Sequence, residues 1–105
     1  MVRQIEGLQT IPGVGPSLAK DLRSLGIREV SDLRGCNAET MYADLCDRAA
    51  QRIDKCVLYV LRCAVYFASE SRHDAELLKW WNWKDAAISP EMRAAVAGAS
   101  RIPLR

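Results

Sequence analysis

Two glycines ahead of a helix start can hold an anion, and residues 12–23 supply that combination. Pro12, Gly13, Val14, Gly15 and Pro16 form a tight bend, and Ser17 to Arg23 read as the first turns of a helix. The glycines permit left-handed backbone angles and close approach of another molecule. Pro16 suits the first helical position, where its missing N–H costs nothing. Uncapped N–H groups at such a start attract negative charge. Lys20 lies one turn into the helix, within reach of the same anion, and Arg23 follows at i+3. The set suits a phosphate, and a polymer of phosphates is its commonest biological source.

Other reactive residue types form no constellation. Cysteines stand at 36, 46, 56 and 63, with no C-x-x-C pair. Cys56 and Cys63 share a helical face but lie about 10 Å apart by helix rise, too far to ligate one metal together. They read as small buried or half-buried thiols. His73 is the single histidine, in the charged turn Glu70 to Asp74, and reads as solvated. The carboxylates are scattered, with no pair of the kind a two-metal nuclease needs. No nucleophile–base pair is visible, so no catalytic residue is assigned and an enzyme is not expected.

Charge bounds the anion reading. Fifteen basic residues against thirteen acidic ones give a net charge of +2. That falls short of the footprint of a strong nucleic-acid binder, so any DNA affinity is expected to be weak, salt-sensitive or supplied by partners. The start, MVRQIEG, has no apolar core region of a signal peptide. The most hydrophobic run, Cys56 to Ala68, is too short to span a bilayer and carries Arg62. A cytoplasmic location without membrane association is therefore expected.

Several elements must position the bend. Val2 to Thr10 reads as a short first helix with Ile5 and Leu8 inward, weakened by Gly7. In the helix after the bend, Leu18, Leu22 and Leu25 share a face, and Ala19 lets another helix approach it. Gly26 supplies the C-terminal cap, with Ile27 packing back. Arg28 to Leu45 repeats this scheme: Leu8, Ile11 and Gly13 recur as Val30, Leu33 and Gly35 at an offset of 22. Leu18 and Leu22 recur as Met41 and Leu45 at an offset of 23, which implies one inserted residue. Ser31 reads as the cap of a short helix and Asn37 as the cap of a longer one. The second bend, Arg34 to Ala38, lacks the second glycine and both prolines, so it is expected to hold the fold and bind phosphate poorly, with Arg34 beside it.

Ile53 to Ser69 is apolar nearly all round, as expected of a buried central strut, with Tyr59, Arg62 and Tyr66 showing polar ends at its margin. Leu77 to Asp85 holds all three tryptophans, Trp80, Trp81 and Trp83, flanked by Lys79 and Lys84. Two readings stand: a cap that closes the core with one or two rings buried, or a partly exposed surface for a partner or a stacked base. Ser89, Pro90 and Glu91 start a last helix that ends near Gly98. Arg93, Arg101 and Arg105 make this end basic, and residues 99–105 read as a mobile tail.

The pattern Leu8-x-x-Ile11-Pro12-Gly13-Val14-Gly15-Pro16-x-x-Ala19 resembles the hairpin of helix-hairpin-helix DNA-binding proteins. The resemblance implies contact with DNA backbone phosphates without sequence specificity, at Gly13, Val14, Gly15, Ser17, Lys20 and Arg23. In some members hairpin carbonyls hold a monovalent cation, which falls here on Gln9, Ile11 and Val14. LQTIPGVGPSLAKDLRSLGI, VSDLRG, DKCVLYVLRCAVYFA and ELLKWWNWKD, in that order, resemble more narrowly the bacterial pathogenicity-locus family of small helix-hairpin-helix proteins, some of whose relatives are labelled mitomycin-resistance proteins.

The expectation is an all-α, SAM-like tandem helix-hairpin-helix bundle of five to six helices with a degenerate second hairpin. Residues 1–85 form the domain, and residues 86–105 a C-terminal helix and basic tail outside the family match. The expected function is weak, non-specific DNA binding, in DNA repair or stress tolerance. The alternative is a protein–protein interaction module that uses the hairpin scaffold and the Trp-rich segment.

Overall fold

The computed structural model describes residues 7–97. Ile5, Gly98, Arg101, Arg105 and the tail 99–105 lie outside the described residues. Among the described residues the chain is all-helical. It has four α-helices: α1 (Pro16–Ser24), α2 (Ala38–Ala49), α3 (Lys55–Ser69) and α4 (Pro90–Ala95). Four single 3-10 turns join them: η1 (Gly7–Thr10) before α1, η2 (Val30–Leu33) before α2, and η3 (Ala75–Leu78) and η4 (Trp80–Trp83) in succession between α3 and α4. The expected count of five or six helices is thereby corrected. Segments such as Val30 to Leu33 and the tryptophan run close only one tight turn before the chain bends away.

Helix α3 carries the core. Leu58, Val60, Leu61, Cys63, Ala64, Val65 and Ala68 are buried on it, and α2, η2, η3 and η4 pack around it. Asp54 sets its start by accepting from the Cys56 amide at 2.8 Å. Helix α1 ends in a Schellman motif. Gly26, at φ 92°, donates to the Arg23 carbonyl at 3.0 Å, and Ile27 donates to Leu22 at 3.0 Å while staying buried.

The internal repeat is visible in the turns. Val14 donates to Ile11 at 3.0 Å, and Cys36 donates to Leu33 at 3.1 Å, 22 residues later. Each turn spans a glycine at positive φ, Gly13 at 87° and Gly35 at 70°. The helix caps, Gly15 and Asn37, are also 22 apart, so no residue is inserted before the second helix. The apolar face shifts inside it instead: Ala19 and Leu22 are buried on α1, Met41 and Leu45 on α2. Ser31 does not cap η2. It lies inside that turn, and the Asp32 carboxylate takes the free amides of Arg28 and Glu29 at 3.0 and 3.1 Å.

Helix α4 begins as its sequence suggests, with the Ser89 hydroxyl accepting from Met92 at 3.1 Å. Its far end docks on the domain: Val96 is buried, and its carbonyl accepts from Ala38 at 3.0 Å.

Candidate nucleic-acid interface

The first bend is anchored from below and open above. Leu8, Ile11 and Val14 are buried and pin its floor. Val14 spends its N–H on the Ile11 carbonyl, so it shapes the bend and offers no donor to a phosphate, contrary to the expectation from sequence. The Ile11 carbonyl, one of three expected to face a cation with those of Gln9 and Val14, is the acceptor in that bond.

The two glycines have different duties. Gly13 sits at φ 87°, and a Cβ there would meet Trp80 Cδ1 at 3.1 Å and a Val60 methyl at 3.4 Å. Gly15 has φ −99° and ψ −171°, extended backbone that any residue adopts, and nothing lies within 4 Å of where its Cβ would be. Gly13 is thus needed for the turn and for the fit of Trp80, whereas Gly15 keeps the helix start uncovered. With glycine at the cap, no side chain closes the first turn of α1. The first internal bond runs from Ala19 to the Gly15 carbonyl at 2.9 Å. Among the described residues no acceptor takes the amides of Gly13, Gly15, Ser17 or Leu18.

The start of α2 is the internal control. Its Asn37 side chain accepts from the Thr40 amide at 3.1 Å and donates to the Ala97 carbonyl, and Ala38 donates to Val96. Val96 and Ala97 therefore roof the second bend, and no such bond covers the first among the described residues. Arg34, expected beside the second bend, gives its Nε–H to the Ala68 carbonyl at 3.2 Å, a cation on the last turn of α3.

A shallow groove of about 360 Å³ runs beside the first bend. Gly15, Pro16, Ser17, Leu18 and Asp21 form one wall, and Cys56, Val57 and Val60 of α3 form the other. Lys20 is exposed on α1 and makes no ion pair among the described residues. Arg23 is exposed one turn further on. Lys84 acts electrostatically on the other wall. The Cys56 thiol is pushed up, chiefly by its hydrogen bond with the Asp54 carboxylate, while the positive charge of Lys84 pulls it down. Lys84 is also exposed and unpaired among the described residues. The sequence shows Lys84 as a flank of the tryptophans, and its nearness to the groove comes only from the path of the chain. Asp21 is the opposing charge on the groove wall.

The tryptophan segment runs back along α3, which explains that path. Cys63 meets the Leu77 carbonyl, Trp80 and Val60 both flank Gly13, and Lys55 pairs with Asp85 at 3.0 Å. Trp83 is fully buried, and its indole N–H donates to the Leu77 carbonyl at 2.8 Å. It therefore drops out of the expected partner surface. Trp80 is half-buried over Gly13, and Trp81 is 47% exposed.

Arg62 does not sit at the helix margin as expected: it is 1% exposed. Its guanidinium donates to the Trp83 carbonyl at 2.7 Å and pairs with Glu39 and with Asp85 at 3.0 Å. It ties α2 and the tryptophan segment to α3. Nothing in the apolar pattern distinguishes a buried arginine from a snorkelling one.

The remaining candidates for chemistry are structural. His73 stacks on Phe67 with centroids 4.8 Å apart, and its Nε2 meets the Phe67 carbonyl at 2.8 Å, so it anchors its turn. Cys36 and Cys63 are buried and Cys46 half-buried, but Cys56 is exposed. Burial pushes the Cys63 thiol up to about 12. Among the described residues no group of His, Cys, Asp or Glu is placed to hold a metal ion, and no helix is long and apolar enough to cross a membrane.

A family model described as pathogenicity locus matches residues 2–88, from before the first bend to three residues past the tryptophan segment. The chain belongs to that family. It is also 28% identical over 91 residues to the mitomycin resistance protein McrB of Streptomyces lavendulae, covering 87% of this chain and 78% of the relative. No solved structure matches the chain.

Proposed function

We propose that this domain binds DNA through backbone phosphates, without sequence preference, at the first bend. The two turn–bend–helix units are read as a tandem helix-hairpin-helix pair in which the first hairpin binds and the second holds the fold. The observation that carries the proposal is the contrast between two related helix starts. The chain's own groups cover that of α2, while the amides at Gly15, Ser17 and Leu18 of α1 have no acceptor among the described residues. A phosphate oxygen would satisfy them, aided by the helix dipole, with Lys20, Arg23 and Lys84 around it. A relative named for mitomycin resistance fits a role in stress tolerance or DNA repair. The cytoplasm is the compartment this reading requires.

Two or three basic residues imply that log K falls with log salt at a slope of about −2 to −3. Fluorescence anisotropy with a labelled oligonucleotide measures it. Gly15→Val places methyl groups in front of the amides without disturbing the backbone, and affinity should fall about tenfold or more. Equal binding by Gly15→Val and the parent would remove the basis of the proposal.

The exposed indole of Trp81 favours a second reading, a protein-interaction module built on the same scaffold. Sizing chromatography of the parent and Trp81→Ala tests the self-association form of that reading.

A further inference from the structure

We infer that Trp81 is a stacking platform for an unpaired base, so that the preferred ligand is DNA with single-stranded segments and not intact duplex. The inference rests on the phosphate reading of the first bend and adds the chemical class of strand it takes. Among the large hydrophobic side chains described, Trp81 is the one left exposed, at 47%. It does not dangle. Its ring is held edge-on to Trp80, with centroids 5.8 Å apart and planes at 84°. Trp80 in turn lies against Gly13, so the exposed indole stands one ring away from the bend. Lys84 is exposed directly after the turn that carries Trp81, while Trp83 of the same turn is buried.

Charge supports the same strand class. A chain with a net charge of +2 has little counterion release to draw on. Stacking adds affinity without charge and tolerates any base. In a duplex the faces of the bases are already stacked on each other, so Trp81 finds a partner only where pairing is broken.

The test compares a labelled thymine oligomer of about 20 nucleotides with a duplex of the same length, using the parent, Trp81→Ala, Trp81→Phe and Gly15→Val. The single strand should bind the parent about tenfold more tightly than the duplex. Trp81→Ala should erase that preference by weakening single-strand binding about five- to tenfold, with duplex affinity unchanged, and Trp81→Phe should restore most of it. Indole fluorescence should be quenched on titration in the parent and less so in Trp81→Ala. Equal affinity for the two forms, or single-strand binding indifferent to Trp81→Ala, would overturn the inference while leaving the phosphate reading intact. Loss of self-association in Trp81→Ala without any change in DNA binding would assign the indole to a protein contact and overturn it too. No binding of either form by the parent would remove the phosphate reading first, and this inference with it.

Discussion

Replacing each bend glycine by alanine should give two very different proteins. At Gly13 the backbone is held at φ 87°, where a Cβ costs about 1–2 kcal/mol. The new methyl would also sit 3.1 Å from Trp80 Cδ1 and 3.4 Å from Val60, in a packed corner, adding about 1 kcal/mol or more. Gly13→Ala should therefore lose about 2–3 kcal/mol, or about 10–20 °C in Tm for a domain of this size. At Gly15 the backbone is ordinary and the space is empty. A poorer helix cap is offset by a less flexible unfolded chain, so Gly15→Ala should stay within about 0.5 kcal/mol of the parent. Urea and thermal unfolding followed by circular dichroism measure both. Equal losses at the two positions would refute the division of labour on which the binding test at Gly15 depends.

Three further outcomes follow from the packing. Arg62→Met should lose about 2 kcal/mol, because the buried Trp83 carbonyl is stranded, while Glu39 and Asp85 remain near half-exposed and keep Arg93 and Lys55; unchanged stability in urea would count against the keystone role. Ala50, the one described non-glycine residue at positive φ, closes α2 at 56°, so Ala50→Gly should gain about 0.5–1 kcal/mol, and a lower Tm would contradict that. Hydrogen bonds from Lys55, then Arg62, hold the Asp85 carboxyl below the usual carboxylate range. Its contribution to stability is thus present above about pH 4 and is lost as pH falls through the lower folded value, so the deficit of Asp85→Asn should shrink in acid; a deficit equal at about pH 7 and about pH 3 would contradict this.

Local chemistry was readable at several helix ends, though not at Ser31, where Asp32 takes the free amides instead. The caps at Asn37 and Ser89 and the Gly26 stop each depend on a side chain or on its absence, and each appears as expected. The buried strut showed in its all-round apolar pattern, although its start at Lys55 depends on Asp54, whose capping role the composition of residues 47–54 does not announce. Features set by tertiary neighbours were not readable. Trp81 and Trp83 are two residues apart with identical chemistry, and only the path along α3 sends one to solvent and the other to the Leu77 carbonyl. The same holds for Gly13 and Gly15, whose difference lies in Trp80, more than sixty residues further along the chain. The covering of the second bend by Val96 and Ala97 is a contact between distant segments that the repeat itself does not encode.

The most direct test is a backbone amide titration by NMR, with ¹⁵N-labelled protein and a short DNA at low salt. The amide signals of Gly15, Ser17 and Leu18 should move together and saturably, while those of Ala38 and Thr40 at the roofed helix start stay in place. Movement at Ala38 and Thr40 without movement at Gly15, Ser17 and Leu18, or no shift at either helix start, would contradict the account.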